Sequence, residues 1–244
     1  MWSTITTVVA AVVLAGVSDV ARVKFVIEDL VMPGNTAADN LNMKVLRNSE
    51  TNESVKVIHD FGGRLEEVVL MSKSRNKLKS VIATHNNNAS AVRANIHWAG
   101  AMLAPFANRI ANGTYTFEGV TYYLPRNEVR CNGTCDNALH GFLWNKTMNI
   151  VSTNATTDSA TLVLAYTFSD EPGYPFQLEM TITYKLSARG LEINVQAFNP
   201  SKSQALPFFH SVHPYFVADD VSKVILEFDA CTGWNHMDMG PGYV

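Results

Sequence analysis

From Gln177 to Tyr184 the chain reads Gln-Leu-Glu-Met-Thr-Ile-Thr-Tyr, apolar at every even position and polar at every odd one. Side chains of an extended strand point alternately to opposite faces, so this pattern buries one face and wets the other. The run Leu191-Glu192-Ile193-Asn194-Val195-Gln196-Ala197 alternates in the same way after Ser187-Ala188-Arg189-Gly190, which makes the two an antiparallel hairpin. A second hairpin is read in Thr114–Phe117, the turn Glu118-Gly119, and Val120–Leu124 closed by Pro125. Further strands are expected at 55–59, 64–71, 148–153, 160–168, 205–210 and 223–229. Helical periodicity is scarce. Short strands punctuated by Gly, Pro and Asn, without intervening amphipathic helices, point to an all-β fold, a large antiparallel β-sandwich rather than βαβ units. The Lys-, Asn- and Ser-rich stretch 72–94 has no strong period and is expected to be a long surface loop.

A chain of 244 residues that is 47% hydrophobic can bury a substantial core, and sandwiches of this length form one domain. Only 17% of the residues are charged, with 19 Lys and Arg against 22 Asp and Glu. Such a balance argues against nucleic acid as the main partner and excludes a highly charged disordered chain. Three cysteines are too few for a disulfide-dense scaffold.

The N-terminus carries the apolar run Val8–Val17, followed by Ser18 and the first charge at Asp19. Residues 1–18 are read as a secretory signal peptide with a small-residue cleavage zone near Gly16–Ser18. Ten residues are about half of a membrane-spanning helix, so no stable membrane anchor is expected. The alternative is a buried helix or strand, which the lack of Lys or Arg before the run favours. The remainder, 22–244, is read as the sandwich domain. Six N-x-[ST] sequons, at Asn52, Asn88, Asn112, Asn132, Asn145 and Asn154, fit a chain in the secretory lumen or secreted from it. Chance in an Asn- and Thr-rich sequence is the competing account, and Asn112-Gly113 also suits a tight turn. In an oxidising lumen Cys131 and Cys135 could join across CNGTC, leaving Cys231 over.

Chemistry-bearing residues concentrate in three segments: LAPFANRI (103–110), NALHG (137–141) and PFFHSVHPYF (207–216). Arg109 offers a planar fork of donors for adjacent hydroxyls or a carboxylate, or it closes a hairpin on backbone carbonyls. His140, followed by Gly141, is either a ligand contact or a core histidine satisfied by a carbonyl. His210 and His213 are three apart and would face opposite sides of a regular strand. His213, beside Pro214, Tyr215 and Phe216, has the more aromatic surroundings. His59 and His236 have no obvious partners, His85 lies in the polar stretch, and His236-x-Asp238 is weak as a metal pair. No metal, nucleotide or serine-hydrolase motif is present, and no cofactor is implied.

LAPFANRI, the TYTFEGVTYYLPRNE hairpin, NALHGF, GYPFQLEMTITYKLSARGLEINVQAFN and HPYF together resemble, in order and at similar spacing, the successive blocks of the aldose 1-epimerase (galactose mutarotase-like) superfamily. The likeness runs from about Phe61 to about Gly233. It implies a large antiparallel β-sandwich with a hexose on its concave face, and interconversion of the α- and β-anomers of free sugars. In that chemistry a base takes the anomeric hydroxyl proton while an acid protonates the ring oxygen, the ring opens, C1–C2 rotates, and the ring recloses. Each positioned group contributes about 10²–10⁴-fold. The resemblance implies that His213 is the acid, His140 the histidine that polarises the ring oxygen, and Arg109 a hydroxyl-binding arginine, with Asn108 beside it. Phe142 stands where part of the family has a second glycine, which bears on the choice of sugar.

The resemblance further implies a base glutamate, preceded by a hydroxyl-holding aspartate, in blocks that would follow Val244. The sandwich is therefore expected to lack its last strands. Glu179, Glu192, Glu227 and Asp229 fall on polar strand positions and are not convincing bases. A non-catalytic carbohydrate-binding module or pseudoenzyme is the alternative this leaves. The expected partner is a small aldose, and the oligomeric state stays open.

Overall fold

The computed structural model describes residues 24–72, 76–95, 97–128 and 137–225. The expected signal peptide, the three cysteines, Asn132, His236-x-Asp238, Glu227 and Asp229 lie outside them. The described chain is built on two antiparallel sheets. The first comprises β1 (Phe25–Met32), β2 (Leu41–Asn48), β3 (Ser54–Ile58), β4 (Arg64–Ser72) and β5 (Lys77–Ser80) in sequential order. One short helix, α1 (Ala89–Ala94), leads to β6 (Ala101–Leu103), β7 (Arg109–Ile110), the hairpin β8 (Thr114–Phe117) and β9 (Val120–Tyr123), and β10 (Ala138–Leu139). The second large sheet is the meander β11 (Asn149–Ala155), β12 (Ser159–Phe168), β13 (Leu178–Ser187) and β14 (Gly190–Phe198), and β15 (Ser211–His213) follows.

The alternation in β13 works as read. Leu178, Met180, Ile182, Tyr184 and Leu186 are buried, and Glu179 is exposed. In register with β12, Leu162 lies opposite Tyr184 and Leu164 opposite Ile182, so one continuous apolar face forms. It packs with Leu46, Val55 and Val57 of the first sheet in the main core. Full burial of one such aliphatic side chain stabilises by about 1.5–3 kcal/mol. At one edge the Phe25 N–H donates to the Thr156 carbonyl at 3.2 Å, linking the start of β1 to the end of β11. The Tyr184 hydroxyl, fully buried in the second sheet, donates to the Gly63 carbonyl and ties the two layers together.

β2 has buried residues on both faces: Leu46 joins the main core, while α1 lays Ala89 and Val92 against Met43, Leu41 and Ile58 in a second apolar cluster. That helix lies inside the stretch expected to be a loop, as does β5. The helix buries only two residues, three apart, and its start is fixed by the Asn88 side chain, which accepts from Ala91 N–H at 3.1 Å. β5 is a short, half-exposed edge strand whose lysines hide its period. The hairpin turns behave as read: Glu118 and Gly119 both have positive φ (48° and 79°), as a tight two-residue turn requires. Residues 205–210 are not a strand, and Lys223 belongs to the short 3-10 turn Val221–Lys223. His59, expected to stand alone, has its Nδ1 3.3 Å from Asp60 Oδ1. No described helix is long and apolar enough to cross a membrane.

Candidate functional site

Short strands, not the large sheets, hold the candidate residues. β7 pairs with β10 through only two residue pairs, one of which sets Arg109 opposite Leu139. Just beyond that pair the chains lock reciprocally: the His140 N–H donates to the Asn108 carbonyl, and the Asn108 N–H donates to His140 Nδ1, both at 3.1 Å. Both residues sit at positive φ, 61° for Asn108 and 66° for His140. Such backbone is costly for a residue with a Cβ and is held here by surrounding contacts. Gly141 follows at φ 64°, and a Cβ there would lie 2.4 Å from the Ala104 carbonyl oxygen. That same oxygen accepts from the N–H groups of Phe142 and Leu143, which draws the 139–143 bend down onto the 104–106 segment.

His213 arrives from the other side. β15 pairs with β6, placing His213 opposite Ala101, and the His213 carbonyl accepts from Gly100 N–H at 2.8 Å. The imidazoles of His140 and His213 meet with ring centroids 5.3 Å apart and planes at 86°. Trp98 packs edge-on to His140 at 4.7 Å and to Trp144 at 4.7 Å, and Tyr215 stacks on His213 at 5.4 Å. The result is a cleft of about 730 Å³ lined by both histidines, Arg109, Asn108 and these aromatic rings. It adjoins a second hollow of about 300 Å³, with which it shares Asn108, His140 and Trp144. Aromatic walls with a few convergent polar groups suit the alternating apolar and hydroxyl faces of a sugar ring.

The two histidines differ electrostatically. Burial holds His140 down to about 4, reinforced by His213 and then Arg109. It is therefore neutral at pH 7. Because its Nδ1 accepts from Asn108, the proton is assigned to Nε2, the nitrogen left to donate. Burial also lowers His213, but its own backbone opposes this, and the Arg64 guanidinium adds a smaller downward push. Arg64 is fully buried beneath the site, where it donates to the Ala99 carbonyl and to Asn95 Oδ1. Desolvation lowers it to about 10, so it keeps its charge.

All four residues expected at the site, His213, His140, Arg109 and Asn108, line this one cleft. His210 does not line it, and its Nε2 is buried without a hydrogen-bond partner. Glu179 and Glu192 are exposed on the second sheet. Residues not anticipated are Trp98, Trp144, His97 and Glu128, all lining the cleft. Trp98 stands beside a histidine two residues before Gly100, which was a usable hint; Glu128 had none. Among the described residues, no group of three or more His, Cys, Asp or Glu is placed to hold a metal ion.

The chain matches the family model for aldose 1-epimerase over residues 44–234. It is 34% identical to the Escherichia coli K12 protein YihR over 121 residues, 49% of this chain and 36% of that protein. It is 30% identical to galactose mutarotase of Sus scrofa over 166 residues, 65% of this chain and 40% of that one. Among solved structures, a galactose mutarotase-like protein from Clostridium acetobutylicum superposes with a TM-score of 0.61 at 21% identity, covering 79% of this chain and 54% of that one. The chain thus spans about half of that structure, and its matches cover less than half of the curated relatives. With a family match over most of its length and the same sandwich fold, the chain belongs to the aldose 1-epimerase family.

Proposed function

We propose that the cleft binds a free aldose and serves the interconversion of its α- and β-anomers. The observation that carries this is the meeting of His140 and His213 at 5.3 Å beside Arg109 and Asn108 in a chain of this family. His213 is assigned as the acid that protonates the ring oxygen. His140, neutral and with Nδ1 engaged, donates from Nε2 to the same oxygen and favours the charge that develops there. Arg109 and Asn108 hold ring hydroxyls, and Trp98 and Trp144 offer an apolar wall. Because His213 is held below its ordinary value, the limb of the pH–rate profile that it governs falls below pH 6.5.

Glu128 is the one carboxylate among the described residues lining the cleft. One oxygen accepts from Arg109 Nε and the other from Asn137 Nδ2 at 2.7 Å. It is not placed to take the anomeric proton. A carbohydrate-binding module without turnover is therefore the second reading. NMR exchange between glucose anomers separates the two. Acceleration above buffer that Arg109→Ala abolishes supports the epimerase; hexose binding by calorimetry without acceleration supports the module; neither activity nor binding removes both.

A secreted or lumenal setting is the companion proposal. The asparagines of five sequons, Asn52, Asn88, Asn112, Asn145 and Asn154, are exposed, which supports it. Protein from a eukaryotic secretory host should lose mass on enzymatic deglycosylation; an unchanged mass overturns the proposal.

A further inference from the structure

Arg109 is half-buried, whereas the side chain of Glu128 beside it is only 1% exposed. Pairs between two solvated side chains contribute little, but here one charge is withdrawn from water and depends on its partners. Glu128 is also gripped from a second side. Asn137 donates to its free oxygen, accepts from Asn112 N–H through its own side chain at 3.3 Å, and receives the Glu128 N–H on its backbone carbonyl at 3.3 Å. The carboxylate thus has a fixed position, and it fixes the plane of the guanidinium by occupying Nε. Arg109 Nη1 leans towards Asn108 Oδ1 at 3.4 Å, and both residues line the cleft.

We propose that Glu128 is a positioning and specificity residue: it neutralises and orients Arg109 so that the arginine reads the hydroxyls of an uncharged aldose instead of the acid group of a uronate or a sugar phosphate. An uncompensated guanidinium prefers a carboxylate or phosphate, which it engages with two parallel hydrogen bonds and a full opposite charge. With Glu128 at Nε, that edge is occupied and the opposite charges of Arg109 and Glu128 offset each other within the pair. The nearby cleft residue Arg93 does not supply a substitute fork, since its Nε and Nη2 are turned to the carbonyls of Asp39 and Asn40 at 3.2 and 3.5 Å. The proposal rests on the aldose-binding reading, and it adds the class of sugar that reading leaves open.

The test uses the full chain as wild type, Glu128→Gln, Arg109→Ala and the double variant, with D-glucose and D-glucuronate titrated by calorimetry. Wild type should favour glucose, and Glu128→Gln should weaken glucose about tenfold while narrowing or reversing the preference over glucuronate by a similar factor. In the Arg109→Ala background the same change should do nothing, because its effect passes through the arginine. An unchanged glucose-to-glucuronate ratio in Glu128→Gln, or an effect that persists without Arg109, overturns the proposal and leaves aldose binding standing. Wild type that binds no hexose overturns the aldose reading itself. Should Glu128→Gln fail to fold, the wild-type protein decides: the Arg109 Nε–H observed by ¹⁵N NMR should exchange with water far more slowly than that of an exposed arginine, and free exchange rules out the pin.

Discussion

The β12–β13 pair and the cleft are built by opposite means. In the sheet, ten consecutive residue pairs run in register from Ser159↔Ser187 to Phe168↔Leu178, and stability comes from an apolar face that any chain with that alternation would form. In the cleft, strands of two or three residues carry or flank the candidate side chains, and their positions depend on single hydrogen bonds, positive-φ residues and one glycine against one carbonyl. Redundant packing tolerates loss of a contact gradually. A clamp made of unique contacts does not, yet it can place two imidazoles from distant parts of the chain face to edge.

The largest expected effect separates chemistry from stability. His213→Asn should slow anomer exchange by about 10²–10⁴-fold with the thermal midpoint nearly unchanged, as read by NMR exchange and calorimetry. Leu164→Ala attacks the sheet and should cost about 2–5 kcal/mol in denaturant unfolding, with the substrate preference of the surviving folded protein intact. Gly141→Ala strikes the clamp: strain at φ 64° and the overlap with the Ala104 carbonyl should together cost about 3 kcal/mol and weaken hexose binding as well.

A pH dependence of comparable size follows from His140. Its value is about 4 in the folded protein and about 6.5 when unfolded, so between those values the unfolded chain holds the extra proton. Its contribution to stability is complete above pH 6.5 and declines on acidification towards pH 4, at up to about 1.4 kcal/mol per pH unit. His59, His210 and His213 are also held low and add in the same direction. His140→Asn should flatten the denaturation midpoint between pH 6.5 and 4 by its own share. The smallest effect belongs to Gly119→Ala: the turn has positive φ but open space around the missing Cβ, so about 1 kcal/mol is expected and no change in sugar binding. If Gly119→Ala proved as damaging as Gly141→Ala, the contrast between redundant sheet and unique clamp would fail.

Legibility in the sequence follows the same division. β13 and β14 could be read because one face of each is wetter than the other, while β2 gives a blurred pattern because α1 buries its second side. α1 itself has too few apolar positions to register, and β5 is masked by its lysines. Arg109, Asn108, His140 and His213 were found from short motifs in a family-like order. No spacing could have shown that the two imidazoles touch, since that depends on two separate strand pairings, β10 with β7 and β15 with β6. Glu128 is recognisable only once Arg109 has been placed beside it.

The pairing of β15 with β6 joins Ser211 to Leu103 across more than a hundred residues of intervening chain, whereas β1 to β5 and β11 to β14 each join sequence neighbours. Local pairings close small loops and form early; distant ones must await them. The cleft should therefore assemble after the two meanders. On refolding, far-ultraviolet circular dichroism from the two meanders should recover before the near-ultraviolet signal of Tyr215, which packs on His97 once β6 and β15 have met. A folding intermediate of this protein would then have both meanders formed and no assembled cleft.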